Sequence, residues 1–214
     1  MPRTPATLGV VRAKRAAAGF GLLAAVVVLP ACGGSESTYV EEPGSGLFLR
    51  LPADWEVFGV VDGDPAGDPR VDVDAGAWQV GFDGASRPDR SHLEETAPDA
   101  PVGTAEVVPL AGLQLPIAQA TLRTLFTADG SDPLVDGGVD ELEYDEVDLG
   151  SHWGNRLVGT VDVGGQEVRV AQLGFFDEGG KRLYLVRVLC SPDCFDDNED
   201  EIEGVLDSLT LESR

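Results

Sequence analysis

The sequence predicts an α+β domain in which helices flank an antiparallel sheet. Three strand-like runs follow one another at residues 155–163, 166–176 and 182–190, separated by short glycine-containing turns. Such short connections favour an antiparallel three-strand meander, because parallel neighbours need a long crossover. An amphipathic helix pattern follows at residues 196–209, with Ile202 on its apolar stripe. Strands followed by helices, without strand–helix alternation, indicate the α+β class.

The N-terminal segment has the composition of an export signal. Four basic residues and no acidic residue lie within the first fifteen positions, and an uncharged apolar run follows at residues 16–31. This pattern is typical of a secretory signal peptide, which is removed from the mature protein. We therefore predict that residues 1–31 are a signal peptide and take no part in the fold.

The end of this segment, Leu29-Pro30-Ala31-Cys32, resembles the lipobox of bacterial lipoproteins. The resemblance implies cleavage before Cys32 and acylation of its thiol, which would anchor the protein at the outer face of the plasma membrane. Two alternatives remain at this point. One is ordinary cleavage near Ala31 with a free N-terminal thiol, and the other is a chance match to a short motif.

The cysteine count supports the lipoprotein assignment. An exported chain with three cysteines has one left over, and acylation of Cys32 accounts for it. Cys190 and Cys194 then form an even pair in an oxidising compartment, and we predict a structural disulfide between them. A redox-active pair and two reduced thiols are the alternatives. Pro192 lies between the two cysteines and favours a turn over a helix there.

The charge of the mature chain limits its partners. Removal of the signal peptide takes away four of 15 basic residues and none of the 38 acidic ones, which leaves a formal charge of about −27. Such a surface repels nucleic acid and anionic lipid headgroups. We predict membrane attachment through the N-terminal acyl chains alone and no binding of nucleic acid.

The first half of the mature chain reads as a tether followed by strands. Residues 32–46 are small, polar and acidic, and we predict a flexible tether. The folded domain is predicted to span residues 47–211. It starts with alternating leucines in residues 47–51 and continues with a strand at residues 56–61. After a turn-rich break, alternating apolar positions predict further strands, with Val71, Val73, Trp78, Val80 and Phe82 on them.

Residue patterns in the middle of the chain predict two helices and a loop. A short surface helix starts at Asp89, and a helix over residues 115–126 places Ala118, Leu122 and Phe126 on one face. Residues 129–148 contain nine acidic residues and no basic one. We predict a long surface loop there that leads into a strand.

Three features together resemble the Mog1/PsbP-like fold, particularly small actinobacterial lipoproteins built on it. They are GLFLRLPADWEVF at residues 46–58, the meander, and a closing helix that ends in VLDSLTL. The resemblance covers roughly residues 38–211. Some members of the family bind a small GTPase, some bind a photosynthetic complex, and many bacterial members have no assigned role. No partner-contacting residue of these members matches a position in this chain, so the resemblance implies no particular site.

Local motifs of catalysis, cofactor binding and metal binding are missing from the sequence. His92 and His152 are isolated, and no nucleophile elbow, phosphate loop or dinucleotide fingerprint is present. The acidic segments at residues 62–74 and 196–201 could supply calcium ligands, but neither has EF-hand spacing. Trp153 is the aromatic residue that a functional surface would use, with packing as the alternative.

These observations favour a lipid-anchored, extracytoplasmic binding or scaffolding module that is not an enzyme and needs no cofactor. Its partner would be a protein or another envelope component, with basic patches that match its acidity. A lipoprotein that binds a small ligand or calcium is the first alternative. A hydrolytic enzyme is the second, and its candidate bases are His92 and His152.

Overall fold

A computed structural model of the chain describes residues 37–42, 44–59, 77–110, 115–127 and 129–212. The strands are β1 (Ser37–Glu42), β2 (Leu47–Pro52), β3 (Glu56–Phe58), β4 (Trp78–Asp83), β5 (Val102–Pro109), β6 (Val139–Leu149), β7 (His152–Val163), β8 (Gln166–Phe176), β9 (Arg182–Cys190) and β10 (Thr210–Leu211). The α-helices are α1 (Leu115–Thr124), α2 (Pro192–Asp197) and α3 (Glu199–Asp207), and a 3₁₀ helix spans Arg90–Glu94.

The described strands form two antiparallel sheets. A small sheet has the order β1-β2-β10, and a seven-stranded sheet has the order β3-β4-β5-β9-β8-β7-β6. The predicted meander is confirmed, because β7 pairs with β8 and β8 with β9 in antiparallel register. Gly164 and Gly165 have φ angles of 66° and 87°, which the tight turn between β7 and β8 requires. This is the predicted α+β class.

The two faces of the large sheet are covered by different elements. Along β8, Ala171, Leu173 and Phe175 enter the main core together with residues of β2, α2 and α3. Val168 and Val170, which precede these residues on β8, face the other side and pack with Phe126, which follows α1. The alternation predicted for β4 is confirmed as well, since Val80 and Phe82 are fully buried and Trp78 packs against the main core.

Polar side chains of the sheet fix the end of α1. The amide of Gln172, which is fully buried, donates to the carbonyl oxygen of Leu122 at 2.9 Å. The guanidinium of Arg187 donates to Gln172 Oε1 at 2.9 Å and to the carbonyl oxygen of Leu125. These bonds satisfy carbonyl groups that have no partner within the helix.

The prediction of a flexible tether over residues 32–46 is wrong for the second half of this segment. Residues Ser37–Glu42 form β1 and pair in antiparallel register with β2, from Ser37 opposite Pro52 to Glu42 opposite Leu47. Val40 is 1% exposed and belongs to the main core. The segment is polar because only one face of the strand is buried, and its pairing partner lies further along the chain.

The acidic segment 129–148 is only partly a loop. Its second half forms β6, which has half-buried residues on both faces of the sheet. Val147 and Leu149 pack against the main core, and Leu142 and Tyr144 pack against the cluster that contains Phe126. A register shift between Asp140 and Glu143 interrupts the alternation. This irregularity, together with the density of charge, hides the strand from a pattern search.

The C-terminal region differs from its prediction in two details. Pro192 does not prevent a helix but lies at the first turn of α2, where its missing N–H is not needed. Ser191 caps this helix by accepting a hydrogen bond from the amide of Cys194 at 3.4 Å. The helix pattern is split at Asn198, so α2 and α3 replace one continuous helix.

Several predicted features lie outside the described residues. These are the signal peptide, Cys32, the acidic segment 62–74 and the strand positions Val71 and Val73.

A close approach of backbones at Gly103 predicts a sharp effect of substitution. A Cβ atom there would lie 2.3 Å from the carbonyl oxygen of Arg187 and 2.3 Å from Cε2 of Phe82. Gly103→Ala should therefore lower the free energy of unfolding by about 3 kcal/mol. Gly204→Ala is the matched control, because Gly204 lies in α3 with open space around it, and it should raise stability by roughly 0.5–1 kcal/mol. Urea denaturation measures both, and equal effects would contradict the packing described.

Candidate functional site

The predicted disulfide is present, and it lies where β9 joins α2. Cys190 and Cys194 are bonded, with their Cα atoms 5.9 Å apart. Both cysteines are buried within the main core, and Cys190 is fully inaccessible. The pair therefore closes a core junction, whereas a redox pair that acts on partners needs an exposed sulfur.

The structure does not bring the two histidines together. His92 bonds to Asp83, which pairs with Val102 at the start of β5. His152 precedes Trp153, and the register through β8 and β9 aligns Trp153 with Val108 near the other end of β5. Six residues along a strand correspond to about 20 Å. The converging pair that the hydrolytic alternative relies on is therefore not formed.

His92 belongs to a hydrogen-bonded cluster built around a buried carboxylate. Asp83 is fully buried at the end of β4 and accepts bonds from the amides of Ala85 and Asp89, both at 2.8 Å. Nδ1 of His92 lies 2.7 Å from Oδ2 of the same carboxylate. This bond raises the pKa of His92 above its ordinary value of 6.5, against the smaller opposing effect of desolvation. The cluster closes the segment between β4 and the 3₁₀ helix onto the sheet.

A cleft of about 540 Å³ lies beside this cluster. Its described lining consists of Gly84, Ala85, Ser86, His92, Glu95, Pro98, Asp99, Ala100, Pro101, Val102 and Asn198. The volume is in the range of ligand pockets, but such pockets are mostly lined by hydrophobic and aromatic side chains. The described lining has no aromatic ring except His92, and its largest apolar side chains are Pro98, Pro101 and Val102.

The remaining residues that the sequence singled out are largely packed. Trp153 stacks on Phe176 with ring centroids 5.1 Å apart, and Trp55 stacks on Phe82 at 5.8 Å. His152 is 4% exposed and makes an edge contact with Tyr184. Trp153 lies partly buried on the α1 face of the sheet, in the cluster that contains Leu122, which favours packing over a functional surface for this residue.

Among the described helices and strands, β6 carries the most exposed charged side chains. Six carboxylate side chains of this strand are exposed, at Asp140, Glu141, Glu143, Asp145, Glu146 and Asp148. We call β6 with these six side chains the acidic edge. Within the described part of the chain, Glu141 is the only one of the six that forms an ion pair, with Arg169. The other five form no ion pair with any described residue.

No described strand pairs with the outer side of β6. It is the last strand in the order of the seven-stranded sheet, and among the described residues it pairs only with β7. Alternate residues of an edge strand direct their N–H and C=O groups away from the sheet. The acidic edge thus combines backbone groups that no described strand pairs with, and carboxylates on both faces of the strand.

Sequence reasoning missed both of these arrangements. The contact between Asp83 and His92 spans nine positions and belongs to no known motif, so no spacing signal could have identified it. The acidic edge had a usable signal in the apolar residues Tyr144, Val147 and Leu149, which recur between the acids. The glycine and proline punctuation of residues 130–138 and the high charge favoured a loop instead.

Two other kinds of site are absent from the described ranges. No group of three or more His, Cys, Asp or Glu side chains there is arranged to hold a metal ion. None of the helices in these ranges is long and apolar enough to cross a membrane.

Comparison with known proteins identifies the fold. No sequence-family model and no curated protein sequence matches the chain. Among solved structures, it is similar to the cyanobacterial PsbP protein CyanoP from Synechocystis sp. PCC 6803, with a TM-score of 0.53 and 15% identity, over 87% of this chain and 99% of that one. It also matches LpqN of Mycobacterium tuberculosis, a protein involved in cell envelope biogenesis, with a TM-score of 0.48 and 16% identity over 83% and 91% of the two chains. The chain has a PsbP-like fold, as its motifs predicted.

The bond between His92 and Asp83 predicts a pH-dependent stability. Because the pKa of His92 is raised in the folded state, its contribution is fully present below about pH 6.5 and is lost as pH rises through the raised value. The difference in unfolding free energy between the wild type and His92→Gln should therefore be largest near pH 5.5 and shrink above pH 7. Urea denaturation across this range measures it, with NMR titration of the ring as the direct readout. Asp83→Asn should abolish the trend, and a ring pKa at or below 6.5 in the wild type contradicts it.

Proposed function

We propose that this chain is a lipid-anchored, extracytoplasmic binding module without enzymatic activity, and that it holds a basic protein or envelope partner through the acidic edge. The observation that carries the proposal is the exposure of six carboxylates on one ordered edge strand, five of them without an ion pair in the described part of the chain. Like charges held this close repel one another, and a basic partner relieves that repulsion. The surface therefore attracts and orients a cationic partner.

The anchoring half of the proposal is supported by the N-terminal sequence. The segment Leu29-Pro30-Ala31-Cys32 resembles the lipobox, and β1 begins only five positions after Cys32. A fully extended chain spans at most about 3.6 Å per residue, so the folded domain starts within roughly 18 Å of an acylated Cys32. The acyl chains would supply the membrane affinity, because the acidic domain gains none from anionic headgroups.

The absence of enzymatic activity is supported by the contents of the cleft beside His92. Asp83 orients the imidazole, but the same carboxylate also binds the amides of Ala85 and Asp89 and thus organises the loop. The described lining holds Ser86 as its only hydroxyl group, and no hydrogen bond joins Ser86 to His92 in these residues. A hydrolytic site needs the nucleophile and the base within hydrogen-bond reach.

Cross-linking in intact cells tests the proposed function. The wild-type chain should yield a specific neighbour, and the triple variant Glu143→Gln, Asp145→Asn, Asp148→Asn should recover it at about one tenth of the wild-type yield. Three exposed ion pairs worth about 0.5 kcal/mol each account for that factor. The yield should also fall as ionic strength rises during cross-linking of isolated membranes.

Two controls separate the acidic edge from net charge and from anchoring. The variant Asp54→Asn, Glu167→Gln, Glu178→Gln removes three exposed carboxylates elsewhere and should keep the wild-type yield. The Cys32→Ser variant should no longer be found in the membrane fraction, and it should give no cross-links. Equal losses from both triple variants, or none from either, would contradict a partner bound at the acidic edge.

A further inference from the structure

We propose that the acidic edge binds its partner by strand addition: a basic, extended segment of the partner pairs with β6 and becomes an eighth strand of the sheet. This inference rests on the proposed function and specifies how the partner is held. It requires an open backbone edge, a strand that is ordered before binding, and side chains that select a basic segment.

The open edge is long enough to hold a segment in register. From Glu143 to Leu149, β6 pairs with β7 without interruption, so its outer side presents seven residues of regular strand. About half of these residues direct both backbone groups outward. The irregularity between Asp140 and Glu143, where Glu141 has a φ of 51°, ends the regular edge on one side. Leu149 and the turn after it end the edge on the other side.

The strand is held in place from both faces of the sheet, so it need not order on binding. Val147 and Leu149 pack against the main core, and Tyr144 packs against the cluster beneath the end of α1. On the neighbouring strand, Arg156 lies opposite Asp145 and is fixed by an ion pair with Glu203 of α3. A preorganised edge retains more of the pairing energy than a disordered one.

The carboxylates determine which segment fits. Glu143 and Asp145 lie on the α3 side of the sheet, and Glu146 and Asp148 lie on the α1 side. Cross-strand neighbours in an added strand come within about 5 Å, so lysine or arginine on either face of an incoming segment meets a carboxylate. The acids thus do not simply block the edge but restrict it to cationic strands.

The same geometry disfavours a second copy of this chain as the occupant. Pairing of β6 with β6 of another molecule would place carboxylates opposite carboxylates, which is destabilising. Acidic residues on an edge strand are a known device against such self-association. The occupant is therefore a different chain with a basic extended segment.

Peptide binding to the full chain, purified in a mild nonionic detergent, tests the inference. The probe is a nine-residue peptide of alternating lysine and threonine at 50 mM salt. Its control is the same peptide with N-methyl groups on the backbone of four consecutive central residues. These methyl groups leave the charge of the peptide unchanged and block backbone pairing along either edge of the peptide strand. We expect the unmodified peptide to shift the amide resonances of β6 and to bind at least tenfold more tightly than the methylated one. The variant Glu143→Gln, Asp145→Asn, Asp148→Asn should weaken binding about tenfold.

The possible failures are distinguishable. Equal binding of the two peptides means that attraction is electrostatic without strand pairing, which overturns this inference and leaves the proposed function standing. No resonance shift at millimolar peptide also overturns it. The proposed function fails separately, when cross-links in cells do not depend on the acidic edge. A peptide in which glutamate replaces lysine must not bind, and binding by it would overturn the selection of basic segments.

Discussion

The structure depends on one apolar interface, in which the small sheet and α3 pack against the large sheet. Leu47, Leu49 and Leu51 of β2 are at most 1% exposed, and they meet Ile202 and Leu206 of α3 in the main core. Each buried aliphatic side chain of this kind contributes about 1.5–3 kcal/mol. Without this interface, the first and last segments of the domain would have no surface to fold on.

Hydrogen bonds lock the same interface at its rim. Ser208, at the end of α3, bonds through its hydroxyl to both the amide and the carbonyl of Arg50, at 2.9 Å and 3.0 Å. The amide of Glu212 donates to the carbonyl of Gly46 at 2.9 Å, which continues the pairing of β10 with β2. The two ends of the domain are thereby joined. The large sheet is covered from this side. Val147 and Leu149 of its last strand, β6, pack against this core, while the carboxylates of the strand stay exposed.

Local patterns in the sequence predict those parts of the fold that local contacts stabilise. For the three strands of the meander, the predicted bounds agree with the observed bounds to within a few residues. Alternation and short turns specify these strands without reference to the rest of the chain. Composition favours a tether over β1, because Val40 is the only buried side chain of this strand and its pairing with β2 cannot be read from composition. The same holds for Asp83 and His92, whose contact exists only once the loop is closed. The acidic edge is hard to predict from sequence because charge dominates its composition, whereas its pairing with β7 makes it a strand. In physical terms, the contacts that create the candidate site are the nonlocal ones.

The central claim is that β6 is an ordered strand whose outer edge is free. Amide hydrogen exchange of the unbound chain, measured by NMR for the amides from Glu143 to Leu149, tests it most directly. The account predicts an alternating pattern, in which the amides bonded to β7 exchange slowly and those that face outward exchange nearly as fast as in an unfolded peptide. Uniform protection would mean that another segment covers the edge, and uniform fast exchange would mean that the strand is not formed. Either result would contradict the account.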